Sequence, residues 1–324
     1  MLFCQALINQ EDIKMKWTGH ARQVFLGLAG FIGINMILTA CQSPKGPIKA
    51  QETTTSGTIH ISVDESFKPV IDSQIEVFES QHSEAHIIVH YKPEAECLRD
   101  LNVDSIRMVI VTRGLSDAEE ATLSNKLQFK PTYGTIAYDA IAVIINNEAK
   151  DSLFTMQDIR SIAKGTSNYK YKMLLDGKSA TSTVRYVVDS LLKGGALSDN
   201  IVAAANTQGV IDYVSKNQDA IGLLGVSWIG NKDDTTQLSF LKKVKIAKIE
   251  AKDGSYVRPV QYNIAYDIYP MIRPLYYILK ENYDGLGNGF ANFLIYEKGQ
   301  KIFNRAYLLP ARMHLETRNV QISK

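Results

Sequence analysis

Short runs rich in Val and Ile alternate with helical patterns through most of this 324-residue chain. Several of the runs carry few charges, as strands covered on both faces do. Two longer segments, PTYGTIAYDAIAVIIN and YNIAYDIYPMIRPLYYI, look like crossings between lobes. Together these features predict an α/β protein of two lobes, each a mostly parallel sheet flanked by helices.

The strands are expected at TIHISV (58–63), HIIVHY (86–91), IRMVIVT (106–112), YDAIAVIIN (138–146), KYKMLLD (170–176), AIGLLGVS (220–227), KVKIAKI (243–249) and MIRPLYYIL (271–279). Between them, FKPVIDSQIEVFESQ places Phe67, Val70, Ile71, Val77 and Phe78 near one helical face. TVRYVVDSLLK does the same with Val184, Val187, Val188, Leu191 and Leu192, and Gly194–Gly195 stops it. GVIDYVSKNQ and NGFANFLIYEKGQKIFNRA complete the helices. The first lobe is expected over 57–139 plus 268–324 and the second over 140–267.

The N-terminus carries a different signal. After Lys14, Lys16 and Arg22 comes the apolar run VFLGLAGFIGINMIL, which ends in LTAC at residues 38–41. A positive flank, an apolar run too short to span a bilayer and small residues before a cleavage point are the layout of a secretory signal peptide over 1–40. LTAC resembles the lipobox of bacterial lipoproteins, which implies a lipidated Cys41 and a membrane anchor of several acyl chains. Residues 41–56, polar and rich in Pro, Gly, Thr and Ser, read as a flexible tether. With Cys4 in the signal and Cys41 given to lipid, Cys97 remains alone, so no intramolecular disulfide is expected. A formal net charge of +2 without a long basic run argues against a nucleic-acid partner.

Catalytic and metal motifs do not assemble. The six His include no HExxH, and His82, His86 and His90 run from a helix into a strand, where a spacing of four loses its meaning, so no metal is expected. SIAK (161–164) and SLLK (190–193) lack the motifs that accompany Ser-x-x-Lys in β-lactamases. GLGNGF (285–290) lacks the Lys of a phosphate loop. No nucleophile stands beside a base, no cofactor is implied, and the chain is not expected to be an enzyme.

Three loops at strand ends remain: Asp64-Glu65-Ser66-Phe67 after TIHISV, Arg113-Gly114 after IRMVIVT, and the hydroxyl cluster Ser179, Thr181, Ser182 and Thr183 after KYKMLLD. Ligands of open α/β sheets bind beyond the carboxyl ends of strands, and helix N-termini there favour an anion. One or two hydroxyls suffice to cap a helix; four suggest a guest with many oxygens.

ISVDESFKPVID, IAYDAIAVIIN, STVRYVVDSLL, AIGLLGVSWI, YPMIRPLYYI and GFANFLIYEKGQKIFNRAYLLPA, in this order, resemble the phosphate-binding lipoproteins of ABC-type phosphate transporters over nearly all of 57–312. The resemblance implies the type II periplasmic-binding-protein fold and a monomer on the extracytoplasmic side of a bacterial membrane. Such a protein captures inorganic phosphate between two lobes for an ABC permease. It places ligand contacts at Ser66 and Phe67 and at Thr181, Ser182 and Thr183. The last three stand on a family Ser-Gly-Thr element whose Gly is here Ser. The family Arg just before that element is missing, and Arg113 is the expected replacement cation. The family Asp after the third strand is also missing. Asp64, Glu65, Glu94 and Glu96 are substitutes for taking the ligand proton, with Glu94 or Glu65 preferred. The altered loop leaves open another oxyanion such as sulfate, a small organic acid, or a sensor or scaffold lipoprotein with a vestigial pocket. Trp228, Tyr269, Arg273 and Tyr276 are expected to be structural.

Overall fold

The computed structural model describes residues 52–177 and 181–312. The lipobox with Cys41, the signal peptide and Ser179 lie outside the described residues.

Strand β1 (Gly57–Asp64) lies between two parallel neighbours, β2 (Ala85–Lys92) and β3 (Ile106–Val111). After β1 a 3-10 turn (Glu65–Phe67) leads into α1 (Lys68–Gln81), with Pro69 in its first turn, where a missing N–H costs nothing. Val70, Ile71, Ile75 and Phe78 are buried at helical spacing, the face α1 lays on the sheet. Short α2 (Glu94–Arg99) follows β2, and α3 (Asp117–Leu127), started by a Ser116–Glu119 capping box, follows β3.

Strand β4 (Thr132–Asn146) is the long outgoing crossing, buried from Asp139 to Asn146. Beyond it come β5 (Leu153–Phe154), α4 (Met156–Lys164) and β6 (Lys172–Asp176). A short helix, α5 (Ser182–Tyr186), widens into a π-helical turn over Val187–Leu191. Next are β7 (Ile201–Ala204), α6 (Thr207–Lys216), β8 (Ala220–Gly225), a 3-10 turn (Val226–Trp228) and α7 (Thr235–Lys243). The run KVKIAKI changes partner midway. β9 (Val244–Ile246) pairs with β4, whereas β10 (Lys248–Glu250) joins β5 and β11 (Tyr256–Val257) in a small separate sheet. After α8 (Gln261–Ala265) the chain returns along β12 (Ile272–Leu279) and ends in α9 (Leu286–Ile295), α10 (Glu297–Arg305) and β13 (Leu309–Pro310). The last two helices were one pattern in the sequence. They part at Tyr296, whose backbone is extended, and Gly299 then packs so closely that a Cβ would stand 2.3 Å from the Phe293 carbonyl.

The main sheet has the order β2-β1-β3-β12-β4-β8-β6-β7. The strands outside the crossings, β1 to β3 on one side and β6 to β8 on the other, pair in parallel, while β12 and β4 run antiparallel to their neighbours and join both sides. The apolar core divides at the same place. Residues 59–137 with 275–308 form one set, around Phe78, Phe290 and Phe303, and residues 140–271 form another, around Phe154 and Tyr269. Each fully buried aliphatic or aromatic side chain in them contributes about 1.5–3 kcal/mol. The boundary crosses β4 between Ala137 and Ala140, so Asp139 sits at the seam.

The glycine-rich GLGNGF turn starts α9, and carboxylates already fill that helix end. Glu52 accepts from Leu286 N–H (3.2 Å), and the buried Glu281 accepts from Gly287 and Asn288 N–H (3.3 and 3.0 Å). Negative side chains complement the positive end of the helix dipole. Cys97 is buried and free, and no described helix is long and apolar enough to cross a membrane.

Candidate functional site

The loops after β1 and β6, one from each side of the seam, meet in the interior. Ser66, Thr181, Ser182 and Thr183 are all fully buried, and the Ser66 and Ser182 hydroxyl oxygens lie 3.4 Å apart. Each hydroxyl is held by local structure. Ser66 follows the Asp64 turn, whose carboxylate accepts from Ser66 N–H (3.2 Å). Thr181 caps α5 by accepting from Val184 N–H (3.2 Å), which presents Ser182 and Thr183 on the first helical turn.

Asp176, the last residue of β6, gathers these groups. It accepts from Ser66 Oγ (3.0 Å), Thr181 Oγ1 (3.1 Å), Thr207 Oγ1 (3.3 Å) and Thr183 Oγ1 (3.5 Å). The cation is Arg273, 3% exposed, on the return crossing β12. Its Nη1 donates to Ser182 Oγ (2.8 Å) and Thr183 Oγ1 (3.3 Å), and its Nε donates to Asp139 Oδ2 (2.9 Å). Asp139 and Arg273 are direct partners across β4 and β12, so the pair is built into the two crossing strands. Asp139 also accepts from Val226 N–H (3.1 Å). The guanidinium stands 5.0 Å from the centre of the Phe67 ring, a cation–π contact. Gly225 leaves room for the pair, since a Cβ there would come within 2.9 Å of Asp139 Oδ2 and 3.0 Å of Arg273 Nη2.

Two polar atoms in this interior lack a hydrogen-bond partner. Asp64 Oδ2 is an unpaired acceptor, and Arg273 Nη2 is an unpaired donor, although it lies 2.8 Å from Asp139 without hydrogen-bond alignment. Buried polar groups are almost always paired, so Asp64 Oδ2 is the acceptor this interior leaves for a guest, while Arg273 Nη2 keeps its charge pairing with Asp139. Burial, then the nearby Glu94 charge, pushes the Asp64 carboxyl up to about 7 against the pull of Arg273. Burial also raises Asp139 and Asp176, again opposed by Arg273.

Some expected residues do other work. Arg113 is not the site cation; it grips both Glu119 oxygens at 2.7 Å and its own neighbour's carbonyl, Gly114 O (3.0 Å). The Glu119 carboxylate drops to about 2, first because of the Arg113 hydrogen bond. Nor is Glu94 free to take a proton. It accepts from Thr112 N (2.7 Å), Thr112 Oγ1 (2.6 Å) and Arg185 Nε (2.5 Å). Burial alone would raise it, but these bonds win and hold it below the usual range. Glu65 is half-buried, raised first by burial and then by Asp176, and it makes no hydrogen bond to Ser66, Ser182, Thr183 or Arg273. Glu96 lies 3.8 Å from Arg99 along α2, part-exposed.

Arg273, expected to be structural, stands in this interior with Asp139 and Asp176, which the sequence does not single out. The available signal was a charged residue inside each apolar crossing, Asp139 in IAYDAIAV and Arg273 in MIRPLYY. Trp228, expected to pack, instead donates its indole N–H to the Ser66 carbonyl (2.8 Å).

A protein of two sheet-linked sides that enclose a polar interior is the class this architecture defines. Residues 49–298 match the family PBP_like_2, the PBP superfamily domain, and the chain belongs to that family, of the type II periplasmic-binding-protein kind. It is 22% identical over 295 residues to the phosphate-binding protein PstS of Staphylococcus aureus strain USA300, covering 86% of this chain and 85% of the relative. A putative phosphate ABC transporter substrate-binding protein with bound phosphate, from Clostridium perfringens, superposes with a TM-score of 0.66 at 20% identity, over 79% of this chain and 100% of that one. An ABC-type phosphate transport receptor from Vibrio cholerae gives 0.59 at 21% identity, over 78% and 100%.

Proposed function

We propose that this chain is the solute-binding component of an ABC-type importer and that its ligand is inorganic phosphate, held between a lobe of residues 57–139 plus 268–324 and a lobe of residues 140–267. The buried Asp64 Oδ2, an acceptor without a hydrogen-bond partner in the same interior as Arg273, carries this reading. Arg273 and the hydroxyls of Ser66, Ser182 and Thr183 would turn toward the ligand oxygens. Asp64 would accept the proton that phosphate carries at neutral pH. Sulfate has no such proton, so once Asp64 is ionised, above its raised value of about 7, a sulfate oxygen would face an acceptor with nothing between them, and that repulsion separates two anions of the same shape. Enclosure strengthens each of these hydrogen bonds, because little water remains to compete.

The lipobox-like LTAC supports a lipid anchor at Cys41 after removal of a signal peptide, with the binding lobes on the extracytoplasmic side of a bacterial membrane. A membrane permease is the partner this role requires, and a monomer is sufficient to fill it. Titration calorimetry at pH 8, where Asp64 is mostly ionised and phosphate still carries one proton, tests the ligand. Phosphate should bind with measurable heat, and a hundredfold excess of sulfate should leave that heat unchanged. Silence with phosphate, or equal binding of sulfate, refutes the proposal.

A further inference from the structure

Beyond the anion site, a second set of contacts joins the two sides of the seam; its side chains make no hydrogen bond to Ser66, Ser182, Thr183 or Arg273, although the Glu94 charge reaches Asp64. Glu94 at the start of α2 is 1% exposed and is held from its own side by Thr112 N and Oγ1. From the other side Arg185, on α5 just after Ser182 and Thr183, donates Nε to Glu94 Oε2 (2.5 Å) and Nη2 to Thr112 Oγ1 (2.7 Å). The Arg185 side chain is 31% exposed, so it spans from the surface to a buried carboxylate. Asp189, four residues on, lies 3.5 Å from its Nη1 and steadies the outer end.

We propose that Glu94, Thr112 and Arg185 form a latch that sets how fast the ligand leaves. The inference rests on the binding role proposed above and adds to it a group of residues that governs release rather than recognition. The anion site cannot open without parting Arg185 from Glu94, because α5 carries both Arg185 and the ligand hydroxyls. Opening must break the charge-assisted bonds from Arg185 to Glu94 and Thr112 before water can replace them, and that cost falls on the outgoing step. Capture begins from the open form, where the latch is already broken, so association is nearly untouched. Interface changes of this kind act mainly on dissociation.

The test uses the chain from Cys41 onward, the form that signal removal would leave, in which Trp228 is the one tryptophan. Trp228 reports opening because its N–H bonds to Ser66 O across the same seam. Arg185→Met keeps the partly exposed aliphatic stem and removes the charge. Stopped-flow with phosphate should show release faster by roughly tenfold or more and association within about twofold of the parent. Acrylamide quenching of Trp228 without ligand should rise in the same variant. Glu94→Gln should raise Trp228 quenching as Arg185→Met does, and quenching in the double variant should be no higher than in either, as expected of one unit. Arg185→Lys should recover part of the slow release. If the parent binds phosphate and Arg185→Met changes neither release nor quenching, the latch is refuted. If the parent ignores phosphate yet quenching rises in Arg185→Met, the latch stands as a closure device and the phosphate assignment is what fails.

Discussion

Replacing Arg273 by Met separates a ligand cation from a structural counter-ion. Arg273 is 3% exposed and opposes three buried carboxylates, Asp64, Asp139 and Asp176, each of which it pulls toward its charged form. Removing one member of a buried ion pair costs about 3–5 kcal/mol, because the survivor is left charged and unsolvated. In a domain of this size that corresponds to roughly 6–20 °C in melting temperature. The loss should shrink in acid. Asp139 already has a folded-state pKa above its usual 3.8, and without Arg273 it lies higher still. Stability of the variant therefore rises as pH falls through that raised value toward 3.8, where the unfolded chain also takes up the proton. Affinity for phosphate should fall about 10- to 100-fold, the worth of a hydrogen bond to a charged group. The double variant Asp139→Asn/Arg273→Met tests the reasoning, since removing both charges should restore most of the stability but none of the binding. Thermal melts at pH 5 and 7.5 with calorimetry on the same samples decide it. If the double variant recovers binding along with stability, or Arg273→Met binds as the parent does, Arg273 is no ligand contact.

Asp64→Asn should erase part of the pH dependence of stability. A carboxyl raised from 3.8 to about 7 takes up its proton in the folded state first, so it lowers stability progressively as pH rises from about 4 to 7, by about 4 kcal/mol from a difference of about 3 units. Guanidinium titrations at pH 5 and 7.5 should show that slope in the parent and a flatter one in the variant, which should also discriminate less against sulfate. Arg113→Met should leave phosphate affinity within twofold and cost under about 1 kcal/mol, since its pairing with Glu119 is part-exposed; a large loss of affinity by calorimetry would return Arg113 to the site.

Periodicity alone revealed the frame, because a buried strand must be apolar whatever surrounds it. β1, β2, β3, β6, β8 and β12 fall close to where runs of Val, Ile and Leu suggest them. The four-residue β7 and two-residue β5 and β13 are too short to set a pattern, and α3, α4 and α7 escaped notice. At the site, Ser66, Ser182 and Thr183 were legible because helix starts have a local signature. Arg113 misled because a charge after a strand looks available until its partner is known; its partner is Glu119, six residues on, within a capping box. Arg273 and Asp139 are 134 residues apart. Their pairing belongs to the register of two distant strands, which no local window contains.

Placing Asp139 and Arg273 opposite one another on β4 and β12 puts the positive charge at the fulcrum of the molecule. A fulcrum travels least when its arms swing, so the guanidinium would keep its counter-ion Asp139 while its outer nitrogens turn to the ligand. An arriving anion would thus meet a finished anchor first, and only the hydroxyl-bearing walls would need to come to it.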